Sequence, residues 1–146
     1  MPPRYRQLDL DVQLCFPLYA ATRAVTRRYG DLLAHAQLTY PQYLSLLALW
    51  QADAPLSVGV LGERLRLDSG TLTPLLKRLE SAGLVLRRRD AADERRVLVE
   101  LTEEGWALRD RVAHVPEELL ASIDLSEREA KQLRRMLGKV LAHLDS

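Results

Sequence analysis

The sequence predicts a mainly α-helical fold carrying one small β-hairpin, and three observations lead there. Apolar residues recur at helical spacing along most of the chain, as in Leu72, Leu75, Leu76 and Leu79. Hydroxyl side chains that can cap a helix stand before several of these stripes, at Thr39, Thr102 and Ser126. Only two β-prone runs occur, Leu84-Val85-Leu86 and Val97 to Leu101, and a charged segment separates them.

The first helix is expected from about Cys15 to about His35. Pro17 lacks a backbone donor and suits the first helical turn, which places Cys15 beside the helix N-terminus. Thr39, with Gln42 three residues on, opens a second helix with Tyr43, Leu44, Leu47 and Trp50 on roughly one face, ending near Ala54-Pro55. From Ser57 the pattern is helix, tight turn, helix. Val58, Leu61 and Leu65 mark the first of the pair, Arg66-Leu67-Asp68 the connection, and Leu72 to Leu79 the second, with Gly83 as a C′ residue. Pro74 signals either a kinked helix or a later start with Thr73 as N-cap. Arg87 to Arg96 then form a long, basic hairpin tip. Thr102 opens a further helix through Trp106 and Leu108. Ser126 and Glu129 open the last one, which is expected to bury Leu133, Met136, Leu137, Val140, Leu141 and Leu144.

A chain of 146 residues, 47% hydrophobic and 28% charged, fits one compact domain and not a membrane protein. Its stretch without Asp, Glu, Lys or Arg, residues 32–52, is interrupted by His35, Gln37, Thr39, Pro41 and Gln42. The N-terminus has no apolar core of the secretory kind, so a cytoplasmic location is expected. The single cysteine excludes an intramolecular disulfide and a four-cysteine zinc site. His35, His114 and His143 are too dispersed for a metal site, and neither a phosphate-cradling Gly loop nor a catalytic Ser/His/Asp set is evident. No cofactor, metal or enzymatic activity is therefore expected.

The formal net charge of +1 hides an imbalance. Between Arg64 and Arg96 nine basic residues face five acidic ones, a local +4, whereas the rest of the chain is net negative. A cationic centre with acidic flanks is the footprint of a chain that turns one part toward phosphates. The helix, turn, helix and hairpin of that centre make a winged helix-turn-helix. Its second helix, apolar side inward, leaves Ser69, Thr71, Thr73, Lys77 and Arg78 outward or on the flanks. These side chains suit phosphate oxygens and base edges in a major groove about 12 Å wide. In the wing, Arg88, Arg95 and Arg96 can reach a narrow minor groove, with Asp93 placed to orient Arg95. A solvated polar helix face and a solvated loop are the plainer alternatives.

The run from Leu67 through Glu80, with Gly83-Leu84-Val85, Asp93-Glu94-Arg95-Arg96 and Leu101-Thr102, resembles the MarR family of winged-helix repressors. Within that family the match is to the organic-hydroperoxide-sensing OhrR type, one-cysteine subtype. The resemblance extends to Gln13-Leu14-Cys15-Phe16, Leu18-Tyr19 and Leu38 to Leu44, covering about residues 8–115. It implies one MarR-type domain over 1–146, with residues 57–101 reading DNA and residues 8–36 and 115–146 supplying dimerisation helices. It also implies a homodimer on a pseudo-palindromic double-stranded operator, with the second helix of the motif in the major groove and Arg95 in the minor groove.

A lone cysteine is ordinarily a small core hydrophobe. Cys15 has other features: a helix N-terminus favours its thiolate, Tyr19 lies one turn away at i+4, and Tyr29 and Tyr40 fall in or near the same helix and the next cap. Resemblance to the OhrR type implies that Cys15 senses an organic hydroperoxide while Tyr29 and Tyr40 of the other subunit hydrogen-bond it, with Tyr19 as a further pocket residue. With no second cysteine, lasting oxidation needs an external low-molecular-weight thiol, a sulfenamide or overoxidation. Two rivals follow from the same residues. One is a MarR-type repressor released by a small phenolic ligand, with Cys15 merely buried. The other is a thiol peroxidase turning over at Cys15.

Overall fold

The computed structural model describes residues 1–145. Two short 3-10 turns, Arg6–Leu8 and Leu10–Val12, precede helix α1 (Cys15–Leu33). A 3-10 turn at Ala34–Ala36 follows, then α2 (Tyr40–Ala52), strand β1 (Leu56–Ser57), α3 (Val58–Leu65), α4 (Ser69–Ser81), β2 (Val85–Arg89), β3 (Val97–Leu101) and α5 (Glu103–Val112). Two more helices, α6 (Val115–Ile123) and α7 (Glu127–Leu144), complete the chain. Of the described residues, 1–113 and 114–145 form separate compact units. Among the described residues no helix is long and apolar enough to cross a membrane.

The helix starts follow the capping chemistry. Thr39 accepts from the Gln42 N–H while the Gln42 side chain accepts from the Thr39 N–H, closing a capping box, and Ser126 and Glu129 do the same for α7. Thr102 caps α5 through Gly105, and Ser57 caps α3 through Val60. Asp68 caps α4, its carboxylate 2.7 Å from the Thr71 nitrogen. The recognition segment therefore begins at Ser69, with Pro74 inside the helix, and the late start at Thr73 is not adopted. An Asp at N-cap satisfies N–H groups that a start at Thr73 would leave in the loop.

The hairpin forms, β2 antiparallel to β3, but its tip is shorter than expected: Arg87, Arg88 and Arg89 are strand residues opposite Val99, Leu98 and Val97, because ladder pairing continues past Leu86, and the tip begins at Asp90. A third strand joins it. β1 pairs with the other edge of β3, Leu56 opposite Val99 and Ser57 opposite Leu98, giving the order β1-β3-β2. Two residues are too few to show a period of two, so this strand leaves no pattern in the sequence.

The core of the first unit gathers Leu33, Tyr43, Leu46, Leu49, Leu61, Leu72, Leu76, Leu79, Val85 and Val99, all nearly inaccessible. Trp50 is buried with its indole N–H donating to the Gly105 carbonyl at 3.0 Å. Gly105 sits so close to the Leu84 carbonyl that a Cβ there would collide with it. Thr102 binds the same corner, its N–H donating to the Leu84 carbonyl and its hydroxyl to that of Gly83. Gly83 itself has φ +77°, the left-handed conformation a C′ glycine supplies.

Two expectations about buried faces need correction. Leu47 is 39% exposed, and α2 buries Tyr43, Ser45, Leu46, Ala48, Leu49 and Trp50 instead, because the helix is covered over a wider arc than one stripe. In α7 no residue is buried: Leu133, Met136, Val140, Leu141 and Leu144 are exposed and Leu137 is intermediate. An amphipathic stripe specifies a face, and whether one chain covers that face is decided elsewhere. α6 buries Val115 and Leu119.

Candidate nucleic-acid interface and thiol site

α4 presents its polar residues as its sequence requires. Leu72, Leu75, Leu76 and Leu79 face the core, so Ser69, Thr71, Lys77 and Arg78 are exposed and Thr73 is partly so. Asp68 has its carboxyl held below the usual range, chiefly by the Thr71 N–H, so the cap is charged near neutrality. Arg66 at the turn takes φ +56° as the C-cap of α3.

The wing divides its arginines into two groups. Arg87 is committed to the fold: its backbone N–H and its guanidinium both donate to the Glu80 carboxylate, at 3.0 to 3.3 Å, clamping the end of α4 to the start of β2. That contact holds the Glu80 carboxyl below the usual range. Nothing local in the sequence marks it, since the partners lie seven residues apart across a turn. The tip arginines reach outward. The Arg95 side chain is 91% exposed, and its Nε and Nη2 donate to the two carboxylate oxygens of Asp93 at 3.1 and 3.3 Å. Asp93 also accepts from the Arg95 backbone N–H, and Arg95 holds its carboxyl below the usual range. Arg88 pairs with Glu100 at 3.5 Å and Arg96 with Asp90 at 3.7 Å, both arginines half exposed. Arg89 donates to the Glu94 carbonyl and braces the loop.

Between α3, α4 and the wing runs an open groove of about 570 Å³, with Ser57, Glu63, Thr73, Arg87, Arg95 and Arg96 on its walls. Of the sequence-predicted set, this groove brings together Thr73 of α4 and Arg95 and Arg96 of the wing; Ser69, Thr71, Lys77, Arg78, Arg88 and Asp93 are not on its walls.

Cys15 is the first residue of α1 and exposed. It therefore stands among the N–H groups that a helix leaves unpaired at its start, where an anion is favoured. Tyr19, one turn on, is 62% exposed, with the Arg23 guanidinium 5.8 Å from its ring centre. Tyr29 and Tyr40 are brought together elsewhere: their rings stack at 3.9 Å, 8° from parallel, and Tyr43 tilts against Tyr29 at 5.8 Å. A hydrogen bond joins the Tyr29 hydroxyl to that of Tyr40, and burial pushes all three phenols up in pKa. Fourteen residues of helix separate Cys15 from Tyr29, about 21 Å at the α-helical rise. A chain cannot bring its own tyrosine pair to its own thiol. The His35 ring lies 3.0 Å from the Arg111 carbonyl and Arg111 donates to the His35 carbonyl, so these two residues tie the turn after α1 to α5. Among the described residues no three His, Cys, Asp or Glu side chains gather as a metal site would require.

Residues 28–112 match a family model described as the transcriptional regulator SarA/Rot. The chain is 44% identical over 144 residues to an organic hydroperoxide resistance transcriptional regulator of Bacillus subtilis, covering 99% of this chain and 97% of that protein. Among solved structures, reduced AbfR bound to DNA, a Staphylococcus epidermidis protein, aligns with TM-score 0.79 and 36% identity over 96% of this chain and 97% of that one. A mutant MarR from E. coli complexed with operator DNA aligns with TM-score 0.80 and 29% identity over 91% of this chain and 99% of that one.

Proposed function

The chain belongs to the SarA/Rot/MarR family of winged-helix, DNA-binding transcriptional regulators, and from that premise we propose that it is a cytoplasmic homodimeric repressor whose grip on DNA is governed by oxidation of Cys15. The whole chain works as one MarR-type domain. Residues 57–101 read the operator, and residues 8–36 and 115–146 meet a second copy through apolar side chains that one chain leaves exposed, such as Phe16, Leu18, Met136 and Leu144. α4 enters the major groove with Ser69, Thr71, Thr73, Lys77 and Arg78, while Arg95, oriented by Asp93, enters the minor groove beside Arg88 and Arg96. Two such units address a pseudo-palindromic site with half-sites about 34 Å apart.

The observation that carries the sensing role is the place of Cys15, exposed at the open N-terminus of α1. Its thiolate attacks the terminal oxygen of an organic hydroperoxide, ROOH. The O–O bond breaks, the sulfur becomes a sulfenic acid, and the alkoxide takes a proton to leave as ROH. A small thiol then condenses with the sulfenic acid, releasing water and leaving a mixed disulfide. Tyr29 and Tyr40, too far from the thiol of their own chain, serve the thiol of the partner, and Tyr19 lines the same pocket. Similarity to the Bacillus subtilis organic hydroperoxide resistance regulator, at 44% identity, supports this reading. A bulky group on Cys15 beside the dimer contact shifts the separation of the two reading helices and lowers operator affinity.

The test compares operator binding by the wild-type protein and Cys15→Ser before and after cumene hydroperoxide with a small thiol. Wild type is released and the variant stays bound. Release of both, or of neither, refutes the sensor. Release by a phenol without peroxide supports the ligand-gated rival, and catalytic peroxide consumption supports the peroxidase.

A further inference from the structure

We propose that Pro74 is a specificity-determining residue of the reading helix, its ring packing on the 5-methyl group of one thymine in each half-site. The inference rests on the assignment of α4 to the major groove. α4 runs unbroken from Ser69 to Ser81 with Pro74 in its interior. A proline there has no N–H to offer the Gly70 carbonyl, so the helix loses a main-chain bond. The core gains nothing in exchange, because Pro74 is exposed and the buried side of α4 is made by Leu72, Leu75, Leu76 and Leu79.

The position is what matters. At about 100° per residue, Pro74 lies nearly opposite the leucine stripe, at the centre of the outward face. Thr71 and Arg78 flank it on one side, Thr73 and Lys77 on the other. Gly70, one turn earlier on the same face, has no side chain, so the centre of the face is low and the backbone can approach a groove floor. The other exposed residues of α4 are Ser, Gly, Thr, Lys or Arg, which makes Pro74 the one exposed apolar side chain of the helix. Base pairs offer one apolar group in the major groove, the thymine methyl. The two chemistries match, and the polar flanks hold the ring over the bases through phosphate and base-edge contacts.

The experiment uses a duplex selected from random DNA by the full-length protein. Each thymine is replaced in turn by deoxyuridine, which removes the methyl and nothing else, and affinity is measured by fluorescence anisotropy for wild type and Pro74→Ala. For wild type one uracil position per half-site weakens binding about fourfold, the equivalent of about 0.8 kcal/mol for one buried methyl-sized group, and both together about fifteenfold. Pro74→Ala binds the thymine and uracil duplexes equally well. Its melting temperature does not fall, since alanine restores the N–H to Gly70, so lost discrimination is not misfolding. A Pro74→Ala protein weakened on every duplex by one factor, with the thymine-to-uracil ratio intact, overturns the contact and leaves Pro74 a structural residue. A wild-type protein indifferent to uracil everywhere overturns it while leaving DNA binding intact. Failure to select any duplex removes the DNA-reading assignment itself, and the contact with it.

Discussion

Arg95→Ala separates a groove-inserted arginine from a solvated one. The Arg95 side chain is 91% exposed, and Asp93 anchors it through two N–H donors, so the wing presents the guanidinium outward in a fixed direction. Arginine at a DNA backbone or narrow groove displaces condensed counterions, about 0.9 in the logarithmic salt slope for each charge neutralised. A dimer carries two copies of Arg95, so the variant's slope is shallower by about 1.8. Between about 50 and 200 mM salt, roughly a fourfold change, wild type then loses about twelvefold more affinity than the variant. The assay is a set of anisotropy titrations with one labelled duplex across that salt range. Arg95→Lys keeps the charge but cannot bind both Asp93 oxygens in the same plane, so it retains the slope while losing affinity. Parallel salt dependences for wild type and Arg95→Ala would refute the placement and leave the wing tip in solvent.

Two further outcomes test the framework. Trp50→Phe removes the buried indole bond to Gly105 and some volume, which costs about 2 kcal/mol. For a chain of this size that lowers the melting temperature by roughly 4–8 °C, and an unchanged thermal transition would show that the Trp50–Gly105 corner does not stabilise the fold. Asp68→Asn keeps a side-chain cap on α4 but cannot titrate. Because the folded-state pKa of Asp68 is depressed, its contribution is present above the ordinary carboxylate range and is lost as pH falls through the lowered value. Thermal unfolding followed from about pH 6 down to about pH 3 should therefore show the gap between wild type and Asp68→Asn closing toward acid, and a constant gap would contradict the ionised cap.

Much of the frame was legible because its signals are local. Thr39 with Gln42 and Ser126 with Glu129 act within one helical turn, and both boxes close. The leucine stripe of α4 and the two β-prone runs likewise depend on neighbours a few residues away, and the hairpin pairs those two runs. Asp93 sits two residues before Arg95, so their contact was also within reach. Pro74 was ambiguous for a physical reason: proline tolerates both N1 and a costly interior position, and the choice fell to the stronger cap at Asp68, five residues earlier than Thr73. The apolar spacing does not reveal α6, although Pro116, which suits the first turn of a helix, marks its start and the break after α5.

By itself, then, the sequence determined most of the helices, the two capping boxes, the two β-prone runs of the hairpin, the cationic stretch from Arg64 to Arg96 and the lone thiol at a helix start, features read from composition and from spacing within a few residues. Tertiary structure alone decided the pairing of β1 with β3, the Glu80 clamp on Arg87, the Trp50–Gly105–Leu84 corner and the stacking of Tyr29 on Tyr40. It also decided that Tyr40 joins Tyr29 at the end of α1 far from Cys15, and that one chain leaves the apolar face of α7 exposed. The reason is common to all of them. Each depends on groups that are distant in sequence and meet only when the elements pack, and a pattern of spacing specifies a face without specifying what that face will meet.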